Sequence, residues 1–164
     1  MKTLTTPDRN ATMRRWPSLV IFLLLTMATG FVASRFLPDA WYVALHKPAF
    51  NPPDWVFPPA WTVLYVLMAI AAWRVWRHDG LSAPIVLWGV QLLFNAAWMW
   101  LFFGQHRPVV ALVDIAILLV LIVILTVAFW RRDRWAGGML VPYVAWVAFA
   151  AVLNHALWQL NPAG

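Results

Sequence analysis

The chain reads as long apolar runs separated by short polar links. The runs cover Pro17 to Leu37, Pro58 to Trp76, Ala83 to Phe103, Val109 to Trp130 and Trp135 to Trp158. Each is close to the roughly 20 residues that a helix needs to cross a bilayer core. Only Arg77 to Ser82, Gly104 to Pro108 and Arg131 to Arg134 separate the last four. Links this short force consecutive helices to run antiparallel and pack together. The pattern therefore predicts an all-α integral membrane protein, a bundle of five transmembrane helices forming one domain over 17–160, preceded by a basic tail over 1–16. The first run admits a rival reading as a cleaved signal peptide, with Val32-Ala33-Ser34 as the small-residue site. Its length favours a span, because it exceeds the usual h-region of about 7 to 15 residues.

Composition supports the bilayer reading: 63% of the residues are hydrophobic, 11% are charged, and the acids are all Asp. Too little polar surface remains to coat a water-soluble globule. The net charge of +6 is dispersed through the tail and links rather than gathered on a soluble fold, so it predicts topology and not nucleic-acid binding. Lys2, Arg9, Arg14, Arg15, Arg74, Arg77, Arg131, Arg132 and Arg134 fall on the side of the N-terminus. Only Arg35, Lys47 and Arg107 fall on the other. By the positive-inside rule the N-terminus is cytoplasmic and the loop over 38–57 is outside, given residence in a bacterial cell membrane; an outer membrane is the alternative.

Several chemistries are excluded by missing residues. There is no Cys, hence no disulfide, thiolate metal site or thiol nucleophile. Lys occurs only at 2 and 47, which removes a mid-membrane Schiff base. His46, His78, His106 and His155 lie in links or near run ends and do not share a helix face as paired haem or metal ligands would. No metal site and no obligatory cofactor is expected. A glycine-rich phosphate loop and a close pair of carboxylates are also absent.

Candidate chemistry rests on rings and amides inside the runs. Gln91, Asn95 and Trp98 share one helix face, with Asn95 about 18 Å along from Ala83 and so near mid-bilayer. Trp61, Tyr65, Met68 and Ala72 form a second stripe. Trp146, Ala150 and Asn154 form a third, with Tyr143 and Phe149 beside it. Each stripe alone is more often a helix-packing seam than a binding site, but seams in lipid favour small residues, whereas these bring bulky rings. Three converging would leave a concave apolar pocket with a few polar anchors. Asp114, the one acid inside a run, is either a proton relay or the partner of Arg107 one heptad earlier. Pro142 is expected to kink the fifth helix.

Residues 46–61, HKPAFNPPDWVFPPAW, concentrate prolines and aromatics at the door of the second run. Each proline fixes its own φ and extends its predecessor, so the stretch is stiff. It reads as a lid over the bundle mouth or as an ordered interfacial turn with Trp41 and Trp55 at the headgroups. His46 is a solvated loop residue or a pH-sensitive group at that mouth.

These residues carry a family resemblance. Trp41-Tyr42, Lys47-Pro48, Pro52-Pro53, Trp55-Val56, Pro59-Ala60-Trp61 and Leu64-Tyr65 resemble the signature of the TspO/MBR family of tryptophan-rich sensory and translocator proteins, also called peripheral benzodiazepine receptors. So do Gly30 to Phe36, the Gln91, Asn95 and Trp98 set, Phe102-Phe103-Gly104, Ala111 to Asp114, and Pro142-Tyr143 through Trp146, Phe149 and Leu153-Asn154. The similarity spans about residues 17–160. It implies a five-helix bundle, commonly a homodimer, with a pocket capped by the first loop and open to tetrapyrroles (protoporphyrin IX, haem), sterols in animal mitochondria and synthetic apolar ligands. The resemblance carries ligand-lining roles to Tyr42, Pro48, Trp61, Asn95, Trp98, Trp146, Phe149 and Ala150. It also matches Trp61 and Trp146 to two tryptophans with which some bacterial members degrade protoporphyrin photo-oxidatively. Where the animal sterol segment has Tyr and Arg, this chain has His155 and Gln159, which weakens any sterol expectation. The expected function is a membrane receptor or sensor for porphyrins acting in tetrapyrrole metabolism or stress response. A light- and oxygen-dependent porphyrin-degrading enzyme and a small-molecule transporter are the alternatives.

Overall fold

The computed structural model describes residues 15–36 and 38–162, with side chains from Pro17 onward. Helix α1 spans Arg15–Ala33, the short α2 Ala40–Ala44, α3 Phe57–Asp79, α4 Ala83–Met99, α5 Pro108–Trp130 and α6 Arg134–Leu160. A single 3-10 turn, Asp54–Val56, leads into α3, and a π-turn, Trp100–Gly104, ends α4. The expected tail lies outside the described residues except for the first helical turn of α1, and so does Leu37.

Sequence chemistry places most of the ends. Proline occupies the first turn of α3, α4 and α5, where no intrahelical donor is needed. Asp39 caps α2, accepting from the amides of Trp41 (3.0 Å) and Tyr42 (3.2 Å). Asp133 caps α6 in the same way, through Trp135 (2.9 Å) and Ala136 (3.4 Å). Gly80, at φ +62°, ends α3 in a conformation that suits glycine. Helix α1 is shorter than the predicted first run. It closes in a turn in which the Ser34 amide donates to the Gly30 carbonyl and Phe36 to Ala33, and Pro38 follows, which cannot continue a helix.

α3 with its 3-10 turn, α4 with its π-turn, α5 and α6 are each long and apolar enough to cross a membrane, and α1 contributes a shorter apolar stretch over Pro17–Ala33. At 1.5 Å per residue that stretch is about 25 Å long. The helices pack in the cyclic order α1, α3, α6, α5, α4 and back to α1. The fold is an all-α bundle of five membrane-crossing helices with α2 and the 3-10 turn in the first loop.

Helix α5 shows what sets the orientation of each element. Ala111, Ile115, Leu118, Ile122, Leu125 and Phe129 are buried, while Val109, Val113, Ile117, Val120, Ile124 and Val127 face outward. Apart from Asp114 on the buried side, both faces are apolar, as a helix between protein and acyl chains requires. Since lipid tails solvate apolar side chains as well as a protein core does, close packing and interhelical hydrogen bonds hold such helices together. Gly137 supplies one close approach. A Cβ there would stand 2.6 Å from the Trp130 Cα, so glycine is what lets α5 and α6 meet at their shared turn.

Candidate functional site

Below the first loop, α1, α3, α4 and α6 part around a cavity of about 510 Å³. Its walls are rich in aromatic rings. Trp61 and Tyr65 come from α3, Trp98 from α4, Phe102 and Phe103 from the π-turn, Trp146 from α6, and Tyr42 and Phe57 from the loop side. Ala150, Leu153 and Leu157 continue the α6 wall, and Met27, Gly30 and Ala33 line the α1 side.

The rings are held in place by one another. Trp61 stacks on Tyr65 at 5.4 Å and meets Trp146 edge-on at 6.5 Å and 85°. Trp98 stacks on Phe102 at 5.4 Å. Its indole N–H donates to Asn154 Oδ1 at 3.1 Å, and Asn154 Nδ2 donates to the Pro108 carbonyl at 2.9 Å. The amide thus fixes the plane of a wall ring and ties α4, α5 and α6 together. The π-turn widens the helix by one residue, closing through the Gln105 amide to the Trp100 carbonyl at 2.8 Å. Such turns are rare and gather at functional sites. Here it carries Phe102 and Phe103 onto the cavity, and Gly104 leaves room for Phe36, whose ring carbon would lie 2.8 Å from a Cβ.

A polar network underlies the cavity. The Tyr65 hydroxyl donates to Asn95 Oδ1 at 2.8 Å, Asn95 Nδ2 donates to the Tyr143 hydroxyl at 3.2 Å, and that hydroxyl donates to Gln91 Oε1 at 2.8 Å. Gln91 Nε2 lies 3.7 Å from the Met68 sulfur. Gln91, Asn95 and Tyr143 are buried. Since an unpaired polar group is costly in a dry interior, the network locks α3, α4 and α6 in one register and holds the Tyr65 ring where Trp61 can stack on it.

The first loop forms the roof. Tyr42, Asp54 and Phe57 line the cavity from it, together with Pro38. Burial and, next, the Asp54 carboxylate push the Tyr42 phenol above its ordinary value, against a lowering bond to Asn51, so Tyr42 stays a neutral O–H donor. Lys47 lies over its ring at 4.6 Å. Two clamps hold the loop. At one, His106 Nε2 is 3.0 Å from Asp39 Oδ2 and its ring stacks on Trp41 at 4.4 Å. At the other, the His46 amide donates to Asn161 Oδ1 and Asn161 Nδ2 donates to the His46 carbonyl, both at 3.0 Å. Burial pushes the Asp39 carboxyl up, but the Tyr42 and Trp41 amides and His106 together outweigh it and hold the group below its ordinary range.

A model of the TspO/MBR family matches residues 19–159. The chain belongs to this family. It is 41% identical over 152 residues to the Tryptophan-rich protein TspO of Chlorobaculum tepidum, covering 88% of this chain and 96% of that one. The Tryptophan-rich sensory protein of Cereibacter sphaeroides is 38% identical, with 89% and 92% covered, and the human Translocator protein 35% identical, with 89% and 91% covered. Family and helices together make it an integral membrane protein.

In this TspO/MBR chain the residues singled out from sequence fall into three places. Tyr42, Trp61, Trp98, Trp146 and Ala150 line the cavity. Asn95 lies behind the wall, spending its amide on Tyr65 and Tyr143. Pro48 and Phe149 are off the lining. The Pro48 carbonyl accepts from the Asn51 amide at 3.0 Å, shaping the turn that presents Asn51 to Tyr42, and Phe149 packs between Phe50 and Trp146. The α3 stripe divides: Trp61 and Tyr65 face the cavity, whereas Met68 and Ala72 are fully buried in the core. Pocket wall and packing seam are two ends of one helix face.

The pairing of Asp114 with Arg107 is not made. Asp114 is buried with Oδ2 unpartnered among the described residues. Arg107 is the non-helical residue before α5, at φ −112° and ψ 74°, so the helical spacing that would align the two does not extend to it. Sequence reasoning also missed His106, which takes φ +52° and pairs with a residue 67 positions away. The only local hint was Asp39 standing in a capping position after Pro38. Among the described residues no group of His and Asp has the makings of a metal site.

Proposed function

We propose that this TspO/MBR chain is a membrane receptor that holds porphyrins (protoporphyrin IX, haem) and similar flat apolar molecules in the aromatic cavity, and that occupancy is its signal in tetrapyrrole metabolism or stress response. The observation that carries the reading is the wall itself: two indoles at right angles, a third stacked on Phe102, and few polar groups among them. About 510 Å³ lies within the roughly 300–1,000 Å³ of small-molecule sites. Flat rings gain from offset stacking or edge contact with such walls. That one relative is named as a sensory protein accords with a receptor. We propose residence in a cell membrane with the N-terminus cytoplasmic, an orientation that the arginine bias supports there, and a homodimeric assembly.

Adding protoporphyrin IX to the purified protein is expected to quench tryptophan fluorescence saturably, with affinity falling at least tenfold in the Trp61→Phe plus Trp146→Phe variant. Unchanged affinity would remove the site. The adjacency of Trp61 and Trp146 supports a second reading, light- and oxygen-dependent porphyrin degradation through those indoles. Illuminated, aerated samples would then lose porphyrin absorbance faster than free porphyrin in detergent, and either single Phe variant would abolish the difference.

A further inference from the structure

The end of the bundle remote from the cavity carries a second surface. Arg74 and Arg77 close α3, and Arg131, Arg132 and Arg134 surround the turn between α5 and α6. Among the described residues the carboxylates at this end are Asp79 and Asp133. Arg74 Nε binds Asp133 Oδ2 at 2.6 Å, and Arg132 is paired with Asp79. Among the described side chains, five arginines against two aspartates leave a surplus of three positive charges. Arg77 lies over the Trp73 ring at 4.6 Å. Arg131 and Arg134 are exposed and make no ion pair among the described residues. At the other end, among the described residues, Arg35, Lys47 and Arg107 stand against Asp39 and Asp54, a surplus of one.

Beside Arg131 lies a shallow, open groove on the surface of α5, formed by Thr126, Val127 and Trp130. The Thr126 hydroxyl is bonded back to the Ile122 carbonyl at 2.6 Å, so the groove is effectively apolar. Trp130 and Trp135 are both exposed beside the turn, as aromatic side chains at a membrane boundary are.

We propose that this groove and the arginines above it form a binding site for an anionic phospholipid, with an acyl chain along Val127 and Trp130 and the phosphate on Arg131 and Arg134. The groove lies on the outward apolar wall of a membrane-crossing helix, where the available occupant is an acyl chain. Arg131 lines the groove and Arg134 follows at the start of α6, at the end of the helix where that chain would meet its headgroup, and planar guanidinium forks match phosphate oxygens. A zwitterionic headgroup carries its own cation, which the surplus charge repels, so the site selects a net negative lipid. Each arginine near a membrane surface adds roughly a fivefold preference.

The test is native mass spectrometry of the full chain in mild detergent, with phosphatidylglycerol and phosphatidylcholine of identical acyl chains added in equal amounts. Wild type is expected to retain phosphatidylglycerol at least tenfold over phosphatidylcholine. Arg131→Gln plus Arg134→Gln is expected to abolish the preference, while Arg107→Gln, at the far end, leaves it intact. Val127→Trp, which fills the groove and keeps every charge, is expected to lower phosphatidylglycerol retention several-fold. All these side chains are exposed, and circular dichroism checks that each variant keeps its helices. Equal retention of the two lipids by wild type, a preference surviving the double Gln variant, or one lost equally in Arg107→Gln would overturn the proposal. Retention indifferent to Val127→Trp, or displaced by inorganic phosphate, would reduce the site to surface charge and overturn it too.

Discussion

Deleting one oxygen from the buried network is a sharp test of how this bundle is held. The Tyr143 hydroxyl makes two interhelical hydrogen bonds, accepting from Asn95 at 3.2 Å and donating to Gln91 at 2.8 Å. The Tyr65 hydroxyl makes one, to Asn95 at 2.8 Å. Within a bilayer such bonds average about 0.6 kcal/mol and reach about 1.7 kcal/mol. Tyr143→Phe should therefore cost roughly 1 to 3 kcal/mol and Tyr65→Phe roughly half as much. The larger loss falls to Tyr143 for a second reason: without it Asn95 loses an acceptor and Gln91 a donor, and neither reaches water. Tyr143→Phe keeps its ring and leaves the Tyr65 bond to Asn95 and the Trp61 stack on Tyr65 in place, so in that variant porphyrin affinity should change less than threefold. The assay is reversible unfolding in mixed micelles of rising denaturing-detergent fraction, followed by circular dichroism. If Tyr143→Phe proves as stable as wild type, or less costly than Tyr65→Phe, the network does not fix the register of α3, α4 and α6.

Other expectations follow from close contacts and from the roof. Gly30→Ala puts a Cβ 2.5 Å from the Tyr65 ring, which is stacked and hydrogen-bonded and cannot yield freely. A loss of about 1–3 kcal/mol in the same unfolding assay is expected, together with a shifted tryptophan emission. Gly137→Ala and its neighbour Gly138→Ala should differ in sign. The first meets Trp130 backbone at 2.6 Å and destabilises, while the second has nothing within 4 Å and gains up to about 1 kcal/mol of helix propensity. The Asp39 clamp is acid-sensitive in a defined direction. Its folded value lies below 3.8, so its contribution is complete above that value and is lost as pH falls through the lower folded one. Hydrogen exchange at the Trp41 and Tyr42 amides, corrected for intrinsic rate, should stay slow down to that range and speed up below it. Loss of protection already near neutrality would contradict this.

Apolar length alone located the helices to within a few residues, because a bilayer imposes one length on every span. The cyclic order α1, α3, α6, α5, α4 was not legible, since short links require neighbours to be antiparallel but leave open which faces meet. Whether the α3 stripe was wall or seam had no local answer, because the outcome changes along it between Tyr65 and Met68. The π-turn hid inside Trp100 to Gly104 for want of any compositional sign. Asn95 was identified as an important amide, but only the position of Tyr65 and Tyr143 shows that its polar atoms are already engaged. Asp39 and His106 are too far apart in sequence for any spacing rule to join them.

The account depends most on the cavity itself being the place where a flat ligand sits. Ala150 lines it from α6 and is nearly buried, so Ala150→Trp fills the space, its indole packing over Trp146 one turn earlier, while Trp61, Trp146 and the network keep their own side chains. Equilibrium titration of protoporphyrin IX into wild type and Ala150→Trp, each checked for intact helical content, measures the claim directly. Saturable binding by wild type and a loss of at least tenfold in the variant are expected. Equal affinity in the two proteins would place the ligand elsewhere and contradict the account.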